Sequence, residues 1–178
     1  GIGKIVEGYN SVISALENNR VLEIIALEKN LDSKKVKDLI KIAQQKKVEV
    51  KNIKSKNEWE FTSTEYVAAI CVPKTIYSES DLKKFDETNF IVCDHIQDTN
   101  NLGAIARSAA SFDFNVMCVP ERRSARLSER TFKISSGGLE KIDILEYKSI
   151  FSLIKKFQSL NVWTCLLYTS DAADEAIG

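Results

Sequence analysis

Hydrophobic positions fall into short apolar runs that alternate with stripes at helical spacing, from one end of the chain to the other. Near the N-terminus, Val12, Ile13 and Leu16 make one face of a short helix over 10–18, and the run 22–27 reads as a strand. Asp32 stands where an N-cap belongs. Val36, Leu39, Ile40, Ile42 and Ala43 then form the inward stripe of a longer helix whose lysines face outward. Strands are expected at 48–50 and, as a nearly continuous apolar run, at 66–72. Between Pro73 and Glu87 apolar residues give way to Pro, Ser, Asp and Lys, the mark of a connector. The chain therefore divides into a first α/β unit (1–75), a linker (76–88) and a second unit (89–164).

The second unit reads as strand 90–94, helix 101–112, strand 116–119, a basic segment, strand 142–147, helix 150–160 and a further strand from Asn161. Strand and helix alternating over short connections predict a parallel sheet covered on both faces, hence an α/β fold. Ligands on such sheets bind beyond the carboxyl ends of the strands. At that edge lies the most informative segment, 96–109. Leu102, Ile105, Ala106, Ala109 and Phe112 are expected to make one apolar stripe, with Gly103 and Arg107 together on another face. Asn100 or Asn101 is placed to cap the helix. A helix start with open N–H groups and one guanidinium suits a phosphate or a ribose oxygen.

Hydrophobic content of 44% and charged content of 28% belong to an ordinary globular protein, and no apolar run is long enough to span a bilayer. No membrane partner is expected. Four isolated cysteines without metal-ligand spacing, three of them in strand-like runs, read as buried small hydrophobes in a reducing, cytoplasmic setting, and no metal site is expected. Net charge is zero, but its distribution is uneven. From Arg122 to Lys133 five basic residues (Arg122, Arg123, Arg126, Arg130 and Lys133) face one acid, which reads as either a solvated face or a phosphate-tracking patch. No GxGxxG, GxxxxGK[ST] or nucleophile elbow occurs, which argues against a small-molecule enzyme.

The run Asp98-Thr99-Asn100-Asn101-Leu102-Gly103-Ala104-Ile105-Ala106-Arg107 resembles the Asp-x-x-Asn-x-Gly-x-x-x-Arg core of the SpoU-type RNA ribose 2′-O-methyltransferases, most nearly the group acting on large-subunit ribosomal RNA. The resemblance continues through Arg123-Ser124-Ala125 and Ser135-Ser136-Gly137-Gly138-Leu139-Glu140, and Val6-Glu7-Gly8-Tyr9-Asn10-Ser11-Val12 resembles the opening of the family's small RNA-binding domain. It implies methyl transfer from S-adenosylmethionine to a ribose 2′-hydroxyl, with a guanosine of 23S rRNA as the expected target. It also implies a homodimer, and a second domain of the knotted SPOUT type. Asn101 and Arg107 are then the catalytic pair, and Arg122, Arg123, Arg126 and Arg130 the RNA-binding residues. A guanidinium hardly deprotonates in a protein, so Arg107 is expected to hold phosphate and stabilise a developing alkoxide rather than act as a base.

Three departures qualify the resemblance. Asp113 replaces a customary glycine, and Thr64-Glu65-Tyr66 stands where many relatives carry His-Gln-Gly. The family's second and third motifs, which form most of the cofactor pocket, do not occur, so no cofactor-binding residue is assigned in this chain. Cys165-Leu166-Leu167-Tyr168-Thr169-Ser170-Asp171-Ala172-Ala173-Asp174-Glu175 resembles the in-frame translation of a sequencing adapter, which sets 165–178 apart as a tail. Without Asp171, Asp174 and Glu175, 22 acids remain against 25 basic residues, a charge of about +3. The sheet is then unfinished, and poor stability without a single cooperative melt is expected. The competing reading is a non-catalytic, ribosome-associated RNA-binding α/β module.

Overall fold

The computed structural model describes residues 1–85, 88–122 and 127–165. In the first unit, β1 (Ile5–Glu7), α1 (Tyr9–Glu17), β2 (Val21–Leu27), α2 (Lys34–Gln45), β3 (Glu49–Ile53) and β4 (Val67–Cys71) build a four-stranded sheet in the order β1-β4-β2-β3. Strands β2 and β3 run parallel, while β4 is antiparallel to both β1 and β2. The apolar runs of β2 and β4 take the centre because they can be buried on both faces; the edge strand β3 keeps Glu49, Lys51 and Asn52 exposed. The cap of α2 is Ser33, not Asp32: its hydroxyl accepts from the Val36 amide at 3.3 Å, so the helix starts one residue later than expected.

The second unit adds β5 (Ile76–Ser78), β6 (Phe90–Val92), α3 (Thr99–Ser111), β7 (Val116–Pro120), α4 (Glu129–Ser135), α5 (Gly138–Lys141), β8 (Asp143–Tyr147) and α6 (Ile150–Ser159). Its sheet, in the order β5-β8-β7-β6, is wholly parallel, as the alternating pattern predicts. Both faces are covered. Val116, Cys118, Leu145 and Tyr147 pack on the side of α6, whereas Met117, Val119 and Ile144 pack toward α3, α4 and α5. Neighbouring residues of one strand thus enter different cores, as a period of two requires.

Two expectations are corrected here. Within the segment read as a linker, Ile76–Ser78 is an edge strand paired with β8, and Leu82 is buried in the two-turn 3-10 stretch that follows. Tyr77, Phe85, Phe90 and Phe157 meet edge-on or tilted in a row at 4.9–6.3 Å, so this stretch belongs to the second unit's core. Residues 161–165 form no strand, although Val162 packs against the same core.

The two units are not beads on a string. One apolar cluster contains Val6, Val12, Leu16 and Leu39 of the first and Leu102, Phe132, Leu139 and Ile144 of the second. Gly3 (φ 71°) lies so close to the Phe132 ring that an added Cβ would stand 2.5 Å from its tip. Burial pushes the Cys71 and Cys118 thiols up to about 12 and that of Cys93 to about 11. Only thiolate attacks a disulfide reagent. At pH 8, native protein is therefore expected to release one fast equivalent of thionitrobenzoate, from the exposed Cys165, and the other three thiols only on unfolding. Release of all four in the native state would contradict this packing.

Candidate nucleic-acid interface

At the carboxyl edge of the parallel sheet, β6 leads into a polar loop and then α3, β7 leads toward α4, and β8 leads into α6. The loop after β6 is pinned by Tyr147, whose Oη is 2.9 Å from Cys93 O and 3.2 Å from Asp94 Oδ1. Burial, reinforced by the Asp94 carboxylate, pushes this phenol above its ordinary range, so it remains a hydrogen-bond donor. Asp94 Oδ1 also stands 2.8 Å from His95 Nδ1.

The helix cap is Asp98 rather than either asparagine. Asp98 holds extended backbone (φ −95°, ψ 124°), and its Oδ1 accepts from the Asn100 amide at 2.8 Å. Asn100 and Asn101 therefore sit inside the first turn, with their amides turned outward. Asn101 is exposed, as is Arg107 six residues on. Helix geometry separates them by about 9 Å along the axis and about 120° around it, so they do not share a face. Asn100, Gly103 and Arg107 do share one. Arg130, on α4, extends this polar surface: its Nη2 lies 3.5 Å from Asn100 Oδ1. Arg122 is exposed just beyond β7; Arg123 and Arg126 fall outside the described residues. Sequence reading missed the Arg130–Asn100 contact, which joins residues 30 positions apart across a helix pair.

Close packing holds this corner. A Cβ on Gly103 would stand 2.6 Å from Ile134 Cγ2 and 2.8 Å from Ile134 Cβ, so only glycine lets α3 and α4 meet here. Alanine adds about 1 kcal/mol of helix propensity, but displacing α4 costs about 1–3 kcal/mol. Gly103→Ala should therefore lose up to about 2 kcal/mol net, read from the urea midpoint at unchanged slope. A gain in stability would show that the helices are not in contact. The expected stripe holds at Leu102, Ala106 and Ala109. It fails at Phe112, which is the C-cap residue and 75% exposed.

Two departures from the family pattern acquire structural roles. Asp113 adopts the left-handed conformation (φ 57°) that ends α3, which its short polar side chain tolerates. Glu65 Oε2 accepts from the Tyr9 amide at 2.9 Å, serving α1, whose own cap residue, Gly8, has no side chain. Tyr66 takes a left-handed conformation (φ 51°) at the position of the customary glycine.

The arrangement is that of a two-unit α/β protein that presents a capped helix start, two asparagine amides, Arg122 and Arg130 at the carboxyl edge of a parallel sheet. The model of the SpoU rRNA methylase family matches residues 88–176, and that of the RNA 2′-O ribose methyltransferase substrate-binding family matches residues 5–62. The chain belongs to the SpoU rRNA methylase family. A Staphylococcus epidermidis protein named for the TrmH family of tRNA/rRNA methyltransferases is 21% identical, over 96% of this chain and 71% of its own length. The 23S rRNA (guanosine-2′-O-)-methyltransferase RlmB of Xylella fastidiosa is 25% identical, over 89% of this chain and 67% of its own. The fold matches the SpoU methyltransferase AviRb of Streptomyces viridochromogenes, solved with AdoMet, at a TM-score of 0.65 and 16% identity. The match covers 88% of this chain and 58% of that one.

Proposed function

We propose that this chain is the RNA-recognising part of an S-adenosylmethionine-dependent RNA ribose 2′-O-methyltransferase, with a guanosine of 23S rRNA as its target. The reading carries most weight at one helix: the Asp98-capped α3, where Asn100 meets Arg130 and where Asn101 and, two turns on, Arg107 stand exposed. Family membership and the 25% identity to RlmB support the reaction and its ribosomal target. Free cysteines fit a reducing cytoplasm, and a homodimer is the family-based expectation for the complete enzyme.

The best-formed hollows among the described residues lie against α6, lined by Phe151 and Lys155, and at the ends of β2 and β3, lined by Lys29 and Lys54; neither adjoins Arg107. Their linings offer nothing specific to an adenine or a sulfonium. What this chain supplies is recognition. The Arg107 guanidinium presents five donors in a plane that fits a phosphate by two bonds. The Asn101 amide, both donor and acceptor, suits a ribose hydroxyl or a base edge. In the complete enzyme, holding the hydroxyl in line supplies much of the rate.

Two measurements test this. Titration calorimetry of the 178-residue chain with S-adenosylmethionine is expected to show no binding at micromolar concentrations; micromolar affinity would mean that the described residues do form the pocket. Affinity for a fluorescein-labelled stem-loop RNA should fall with salt along a log–log slope of about −3, as contacts to about four phosphates require. A slope near zero would remove the arginines from RNA recognition.

A further inference from the structure

Helix α5 carries a charge into the interior. The Glu140 side chain has no exposed surface, and Arg20 engages both its oxygens: Nε is 2.7 Å from Oε2 and Nη2 is 2.5 Å from Oε1. Arg20 belongs to the first unit, between α1 and β2, and its Nη1 also donates to Gly3 O, at 3.1 Å, and to Val72 O. A second cation of the first unit, Lys74, donates to Leu139 O, Glu140 O and Ile142 O at 2.7, 3.2 and 2.8 Å. Gly137 (φ 92°) fits so tightly on α1 that an added Cβ would meet Ser14 Oγ.

What α5 then touches gives these contacts their meaning. Gly138, its first residue, lies against α3 so closely that an added Cβ would stand 2.7 Å from Arg107 Cα and 2.9 Å from Arg107 N. A buried ion pair is weak evidence for stability, since apolar residues of similar size often serve as well. A bidentate fork supplies direction: it fixes the rotation and the height of the element that carries the carboxylate. Building on the RNA reading above, we infer that Arg20 and Glu140 are positioning residues for Arg107. Through α5, the substrate-binding unit sets where the second unit presents its guanidinium, and one RNA is read across both units at a fixed spacing.

A double-mutant cycle separates this from a merely structural role. The chain is titrated with a fluorescein-labelled stem-loop RNA as wild type, Arg107→Ala, Arg20→Lys and the double variant, each with its thermal melt. Lysine keeps a cation for Glu140 but has no fork. Arg107→Ala alone should weaken binding about tenfold; in the Arg20→Lys background it should weaken it about threefold or less. The same tenfold loss in both backgrounds would overturn the inference, whatever the melting temperatures. That result differs from the one that sinks the RNA reading and this inference with it: no loss for Arg107→Ala in the wild-type background. Should Arg20→Lys fail to fold, the paired Arg20→Met, Glu140→Leu variant, which buries no charge, carries the same cycle with the same two outcomes.

Discussion

Phe132→Ala is expected to lower the stability of the whole chain by about 3–5 kcal/mol, the usual cost of deleting a fully buried aromatic ring. The ring is 1% exposed and sits where the two units meet. Gly3 of the first unit lies against its tip, the Arg20 guanidinium stands 5.6 Å from its centroid, and Ser11 of α1 donates to its carbonyl at 3.4 Å. Glycine at position 3 has no side chain with which to fill the void. For a chain of this length the loss corresponds to about 10 °C in melting temperature. Because one apolar cluster spans both units, wild type and variant should each melt in a single transition by calorimetry. This reverses the expectation drawn from an unfinished sheet. An apolar edge weakens a sheet locally, whereas a shared core ties the sheet to its neighbour. Two resolved transitions, only one of them moved by the substitution, would show that the units fold separately.

Glu140→Ala should cost a similar amount, about 3–5 kcal/mol, for a different reason. The loss is not the attraction itself but the Arg20 guanidinium left behind, 11% exposed and without its carboxylate. The control is the pair. Arg20→Met with Glu140→Leu removes both charges, and its loss should be well below that of Glu140→Ala, within about 1–2 kcal/mol of wild type. Equal losses for the single and the paired variant, by urea denaturation, would mean that packing volume rather than charge is at stake.

The parts of the fold legible in the sequence are those whose apolar pattern is long enough to carry a period. Strands β2, β4, β7 and β8 and helices α2, α3 and α6 lie within a few residues of their expected positions. Strand β1, with only Ile5, Val6 and Glu7, is too short for any period to show and exists because β4 offers an antiparallel partner. Strand β5 escaped notice for the same reason: Ile76 and Tyr77 are two apolar residues in polar surroundings, and pairing with β8 makes them a strand. The shared core is illegible because its fasteners lie far apart in sequence, Arg20 from Glu140 by 120 positions and Lys74 from Leu139 by 65.

The candidate site divides in the same way. Asn101 and Arg107 are assigned by the family resemblance, Arg122 and Arg130 by the basic run, and each of the four is exposed. The cap was misplaced because Asp98, Asn100 and Asn101 are all good capping residues, and only the backbone of Asp98 (ψ 124°) decides among them. That Arg130 reaches Asn100, and that Gly138 lies against the Arg107 backbone, follows from how α4 and α5 pack on α3, which no local pattern records.

On the proposed reading, this corner recognises ribose on RNA. Its most direct test is a comparison of affinities for one stem-loop sequence made as RNA and as DNA, with wild type and Arg107→Ala side by side. The 2′-hydroxyl is what distinguishes the two ligands at a given site. Wild type should prefer RNA by about tenfold, and Arg107→Ala should weaken RNA binding about tenfold while reducing the salt slope by about one. Equal affinity for RNA and DNA, unchanged by Arg107→Ala, would show that neither the ribose nor Arg107 takes part in recognition.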